Sequence, residues 1–319
     1  WTPDGKGMFH TAYTARREMG LSMTVLSGEK PAQFTLRPAL PDGATPLSVS
    51  PDGKWLLSAE AQESDGITQM WSVTPLSMAN REASGSTTVL FRMTRAAQGS
   101  SPFSVSSVWS PDSTRVALAG KADGVNEQDI WVAFVDGRTP IRLTQTTAID
   151  HHLTWSPDGN MLAYLSGDAG IRELKVIPTS GGEAVTLRQW AVAAVPSWTW
   201  SPDNESLTIA EESRLVRQPL SGGKAEPIVN LKEYGIEWLA WHGWSPDGRR
   251  LAVAFYRRNS EAPLASCGQL LFGRVEGGQF EQMGATDLGP ATFAGRYAWS
   301  PDGAHVAYEY EGLVAIRPE

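Results

Sequence analysis

The chain is predicted to be all-β, a β-propeller of four-stranded antiparallel blades. A five-residue signature recurs seven times at nearly even spacing, a short β-prone run follows each copy, and glycine-marked hairpins lie between copies. The copies are Trp1-Thr-Pro-Asp-Gly5, Val49-Ser-Pro-Asp-Gly53, Trp109-Ser-Pro-Asp-Ser113, Trp155-Ser-Pro-Asp-Gly159, Trp200-Ser-Pro-Asp-Asn204, Trp244-Ser-Pro-Asp-Gly248 and Trp299-Ser-Pro-Asp-Gly303. Successive copies start 48, 60, 46, 45, 44 and 55 residues apart, the length that four short strands and their turns occupy.

Each signature reads as a strand end followed by a tight turn. Pro presets φ for the first central position, Asp bonds the backbone just downstream, and Gly takes the left-handed conformation that closes the hairpin. Asn204 tolerates that conformation, whereas Ser113 is the poorest substitute and predicts a different turn there. Second strands follow at 55–59, 116–119, 161–165, 251–255 and 306–308, with third strands at 129–135 and 174–177. Their closing turns are Asp136-Gly137, Ser180-Gly-Gly182, Ser221-Gly-Gly223 and Glu276-Gly-Gly278; short fourth strands are expected at 141–144 and 184–187. Without a helix after them, the paired glycines close hairpins and do not cradle phosphate.

The signature tryptophans are expected to pack between sheets. Burying one indole removes roughly 150–250 Å² from water, about 4–6 kcal/mol before entropy.

The chain has 319 residues and a net charge of −8, and no basic cluster exceeds an arginine pair, so nucleic-acid binding lacks its electrostatic footprint. The longest apolar runs fall short of the roughly 18 residues a membrane helix needs, and the first residues do not read as a signal peptide. A single cysteine, Cys267, excludes a cysteine-rich zinc site and an internal disulfide framework.

The Trp-Ser-Pro-Asp-Gly units resemble TolB-type, WD-like propeller repeats over nearly the whole chain. Seven blades in one domain, 1–319, is the expected architecture, with six the alternative. The first blade lacks an innermost strand before Trp1 and the last lacks an outermost strand after 313–317. A preceding segment of roughly 20–25 residues is therefore expected to supply both.

The Ser-Pro-Asp units could be mistaken for repeated catalytic pairs, but seven near-identical turns favour scaffolding, and no Gly-x-Ser-x-Gly elbow is present. Of the five histidines only His151 and His152 are neighbours, and adjacent strand residues point to opposite faces, which predicts diverging rings. No metal and no cofactor are expected. Some similar seven-bladed propellers are lyases with a histidine-rich metal centre, a clustering this chain lacks.

Six of the 13 tryptophans (190, 198, 200, 238, 241, 244) fall within 55 residues, against about two for even scatter. Trp200 and Trp244 belong to the repeat, while Trp238 and Trp241 could anchor a partner. The two longest intervals place extra residues near 74–107 and 256–296, where Arg92, Arg95, Tyr256, Arg257 and Arg258 are candidate contacts. The expected function is a non-catalytic scaffold binding protein partners in a multi-subunit complex. The resemblance implies a periplasmic or otherwise extracytoplasmic bacterial setting, with membrane association through a partner or an upstream anchor. The alternative is an enzyme or carbohydrate-binding module whose central funnel uses His151, His152 and Trp198.

Overall fold

The computed structural model describes residues 1–13, 19–25, 32–35, 37–38, 40, 44–61, 68–77, 82–83, 85–94, 107–122, 125, 128–167, 170–191, 197–211, 214–236, 238–258, 266–290, 297–310 and 313–318. At some strand ends only the backbone is described, Trp238, Tyr256, Arg257 and Arg258 among them, and Arg95 lies outside the described residues. Two compact units divide the chain, Trp1–Val192 and Ala193–Glu319.

In the first unit, strands Gly7–Tyr13, Met19–Val25 and Ala32–Thr35 form a three-stranded antiparallel sheet around the first copy. Strands Thr45–Val49, Trp55–Ala61, Thr68–Ser77 and Thr88–Thr94 follow around the second copy. The third copy contributes Ser107–Trp109, Arg115–Ala122, Asp129–Phe134 and Ile141–Arg142. These two sets are laced into one ten-stranded sheet, because Thr94 and Met93 pair with Lys121 and Ala122. Arg37–Pro38, lying parallel to Glu82–Ala83, completes it. Around the fourth copy, Ile149–Trp155, Met161–Gly167, Ile171–Pro178 and Val185–Ala191 form a separate four-stranded sheet.

In the second unit, Trp198–Trp200, Ser206–Glu211, Arg214–Pro219 and Glu226–Asn230 form one four-stranded sheet. Trp238–Trp244, Arg250–Arg258, Ser266–Glu276 and Gln279–Pro290 form another, and Tyr297–Trp299, His305–Tyr310 and Leu313–Pro318 a three-stranded one. From the second copy onward the signature joins the first strand of its set to the second, whereas the described strands of the first set follow the signature. Within the long interval around 256–296 the described residues form an extended hairpin, whose arms of 11 and 12 residues meet at Gly277-Gly278. Among the described residues the single helical element is a 3-10 turn, Leu231–Tyr234, capped by the Asn230 side chain and closed by Gly235 at φ 67°.

Second strands are apolar on both faces because successive sheets cover both sides. Leu57, Trp71 and Val73 of the second set pack with Trp109, Val116 and Leu118 of the third. Ala117, Ile130 and Val132 face Leu153, Trp155 and Leu162 of the fourth. In the second unit Leu215, Ile228 and Val229 pack with Val253, Phe255 and Leu271, whose opposite face, Ala254 and Leu270, meets Trp299 and Val306. Each of these cores thus lies between the strands of two successive copies.

Candidate functional site

The signature turns consume their own polar groups. In six copies the hydroxyl (Thr2, Ser50, Ser110, Ser156, Ser245, Ser300) donates to the aspartate two residues on at 2.5–2.6 Å. It accepts the backbone N–H five residues on at 2.8–3.0 Å. The same aspartate accepts the N–H two residues beyond itself at 3.0–3.1 Å. These bonds stabilise the carboxylate form. Burial alone would raise Asp112, but bonds from Ser110 and Thr114 and the Arg115 charge outweigh it, holding the group down to about 2. Carboxylates held this way are turn locks and not general acids.

The expected deviation at Ser113 is corrected. Its turn keeps the pattern at φ 62°, because the Ser113 hydroxyl accepts the Asp52 N–H of the preceding copy at 2.9 Å. The copy that departs is the fifth. There Ser201 bonds Thr208 at 3.1 Å, and Asp203 instead takes the Glu205 and Ser206 N–H groups and pairs with Arg217.

Three of the signature tryptophans rivet their own set of strands to the preceding one. Trp109 donates its indole N–H to Ser48 Oγ, Trp155 to the Val108 carbonyl and Trp299 to the Gly243 carbonyl, at 2.9–3.1 Å. Each acceptor immediately precedes the neighbouring copy. Arg115 lies 4.8 Å over the Trp155 ring and bonds Gly159 O, and Arg250 treats Trp299 and Gly303 the same way.

At the other end of the fourth copy's sheet the chemistry changes. Pairing of Ile149–Trp155 with Met161–Gly167 slips between His151 and Thr154, and His152 sits at φ 55°. This bulge position usually takes glycine. It overturns the expectation of divergent rings: the two imidazoles meet edge-on, centroids 4.8 Å apart. His151 Nδ1 faces the Ile149 carbonyl at 3.3 Å and Nε2 faces Arg172 Nη1 at 3.5 Å. That geometry fits an imidazole donating from Nδ1 and accepting at Nε2. Burial, then the neighbouring positive groups, lower the pKa of both histidines. Behind them Asp150 is 0% exposed and neither carboxyl oxygen has a hydrogen-bond partner. Burial raises its pKa, and the nearby Asp129 charge adds to this while the Lys175 charge opposes it. Asp129 is also fully buried but is neutralised by Arg142.

Of the other sequence candidates, Arg92 is exposed on Thr88–Thr94. Trp238 and Tyr256 are direct register partners, and Arg257 and Arg258 continue the same strand, so four candidates gather at one end of one sheet. Trp241 is engaged locally. Its ring stacks on Tyr297 at 5.4 Å, and Tyr297 stacks on Tyr308. Trp198 is half-buried opposite Ile209. His242, unremarked in the sequence, is buried between Ser197 Oγ at Nδ1, 2.9 Å away, and the Thr208 carbonyl at Nε2, 3.1 Å away. Burial pushes its pKa down to about 4. Arg172 was also missed: nothing in its own letter marks it, because the pairing of three strands placed it diagonally from His151. Among the described residues no group of three or more His, Cys, Asp or Glu is disposed to hold a metal, and no helix is long and apolar enough to cross a membrane.

Short antiparallel sheets in series, with tryptophans riveting one to the next, define propeller-type blades. Over 100% of this chain and 95% of the other, it resembles the β-propeller domain of Cps50 (Swd1) from Myceliophteria thermophila, with TM-score 0.58 and 14% identity. Residues 90–229 match the family described as the TolB beta propeller domain. Tricorn protease homolog 1 of Streptomyces coelicolor is 31% identical over 109 residues, 32% of this chain and 10% of that protein. The Tol-Pal system protein TolB of Desulfosudis oleivorans is 29% identical over 85 residues, 27% of this chain and 19% of that protein. The matches thus span a fifth or less of each relative's length.

Proposed function

We propose that the chain is a non-catalytic, seven-bladed scaffold that binds protein partners in an extracytoplasmic bacterial assembly. The observation that carries this reading is the internal satisfaction of the signature. Residues that could have been reactive, the Ser/Asp pairs and tryptophans, are spent on holding turns and sheets in place. The TolB-type repeat supports the partner class and the setting. Exposed Arg92, together with the end of the sixth copy's sheet that bears Trp238, Tyr256, Arg257 and Arg258, are the contact candidates. Cross-linking of the native protein followed by mass spectrometry tests it. Cross-links from these positions to one partner, with an interface above about 1,000 Å², are expected. A stable monomer that cross-links to nothing and copurifies with a small molecule would overturn it. The competing reading, an enzyme or carbohydrate-binding module, draws support from the partial likeness to a tricorn protease homolog.

A further inference from the structure

Where the strands of the third and fourth copies meet, one buried charge is left uncompensated. Leu162, Tyr164 and Ser166 alternate onto one face of their strand, and the first two pack with Ile130 and Val132 of the third copy. Asp150 is the direct register partner of Ser166, so its carboxyl shares that face and enters the seam. It is 0% exposed, yet neither oxygen has a hydrogen-bond partner. Across the seam stands Asp129, also fully buried and close enough for its charge to act on Asp150.

The charges of the seam do not balance. Asp129 Oδ2 accepts from Arg142 Nε at 2.9 Å, and Glu173 is held by Lys175 at 2.7 Å. Asp150 is the third carboxyl, and among the described residues of these strands no third cation faces it. Arg172, Arg188 and His151 lie on the opposite face, where His152 meets His151. Arg115 is engaged on Trp155 at the far end, and Lys121 is exposed. Positions 123–124, 126–127 and 168–169 lie outside the described residues, and their ionisable members, Asp123, Glu127 and Asp168, are all acidic. A carboxylate sealed from water keeps its charge only beside a compensating cation.

The atoms around Asp150 are oxygens. Ser166 Oγ comes from the paired strand and Thr144 Oγ1 from the third copy, and both lie beside the carboxyl. Asp129 Oδ1 carries only long bonds, 3.4 Å from Thr144 Oγ1 and 3.3 Å from the Thr146 N–H. Carboxylate and hydroxyl oxygens without sulfur or imidazole nitrogen form the donor set of a hard cation.

We infer that Asp150 and Asp129, with the Ser166 and Thr144 hydroxyls, hold a hard metal cation, calcium or sodium, in the seam between the third and fourth copies. The described residues add no third carboxylate or imidazole. Calcium takes about 6–8 oxygens, so backbone carbonyls and water complete its shell. The ion adds a charged clamp at one end of a seam that Trp155 rivets at the other. The inference is independent of the scaffold proposal: a seam that takes no cation leaves the cross-links expected there untouched.

The test is calorimetric unfolding of the full chain at pH 7.5, stripped with EDTA and exchanged into choline chloride. Calcium chloride or sodium chloride is then added at constant ionic strength. The unfolding midpoint should rise saturably, by roughly 5 °C at a hundredfold excess over the dissociation constant. Asp150→Asn removes the buried charge; it should unfold no lower than the wild type in metal-free buffer, and its response to either cation should vanish. Ser166→Ala should weaken the apparent affinity about tenfold, the loss of one contact to a charged group. A rise with calcium alone assigns calcium, and a rise with sodium alone assigns sodium. A midpoint that neither cation moves, or that moves equally in Asp150→Asn, overturns the inference.

Discussion

The two ends of strand Ile149–Trp155 obey opposite rules. At the Trp155 end the side chains that follow it, Ser156 and Asp158, have their partners within the turn, and the indole has its own in Val108. At the Ile149 end, six residues away, one carboxyl is buried without a partner, one histidine is held in a glycine conformation, and two imidazoles and a guanidinium crowd together. Local satisfaction marks the repeated scaffold. Local conflict marks the place where this copy departs from the repeat.

The largest effect expected lies at the satisfied end. Trp155→Ala removes a buried indole, orphans the Val108 carbonyl and leaves Arg115 without its ring, and should cost about 3–5 kcal/mol in urea unfolding. A loss below about 1 kcal/mol would break the contrast, since the rivet would then be ornamental.

In the second unit His242 extends the comparison to a buried titratable group that does have partners. Its folded pKa lies below the ordinary histidine value, so the unfolded chain binds a proton first as pH falls. Stability is therefore complete above about pH 6.5 and is lost as pH drops toward 4, by roughly 3 kcal/mol at the low end. Urea midpoints measured at pH 7 and 4.5 should diverge in the wild type and converge in His242→Gln.

Asp150 behaves with the opposite sign. Its raised pKa means that stability is forfeited as pH rises above the usual carboxyl range and through the folded value. Asp150→Asn should therefore stabilise the protein at neutral pH by about 1 kcal/mol, with the gain fading as pH falls. If calorimetry shows a loss at pH 7, the buried carboxyl has a partner that Asn cannot match.

The smallest effect is the most informative. His152→Gly suits the left-handed backbone and should raise stability by about 0.5–1 kcal/mol in urea unfolding. A loss of stability would show that the imidazole contact with His151 outweighs the relief of the backbone.

The repeat was legible because its physics is local. Pro, Asp and Gly within five residues specify a turn, and Trp before them specifies a strand end that must be covered; the predicted strands at 55–59, 161–165 and 251–255 all lie inside observed ones. Strand ends ran longer than predicted wherever pairing continued beyond the apolar run, as at Arg250–Arg258. His151 and His152 could be picked out as a pair, but strict alternation sent them to opposite faces. A bulge is set by how two strands seat against each other and leaves no mark on either one.

The five-letter signature alone therefore dictated the turns and the burial of Trp109, Trp155 and Trp299, since the turn groups find their partners within a few residues and these indoles find theirs in the copy before. Tertiary packing alone decided that the second and third copies share one sheet, that Asp150 is sealed from water without a partner, and that two histidines and Arg172 meet. Those outcomes depend on register and on contact between strands far apart in the chain, which no run of neighbouring residues encodes.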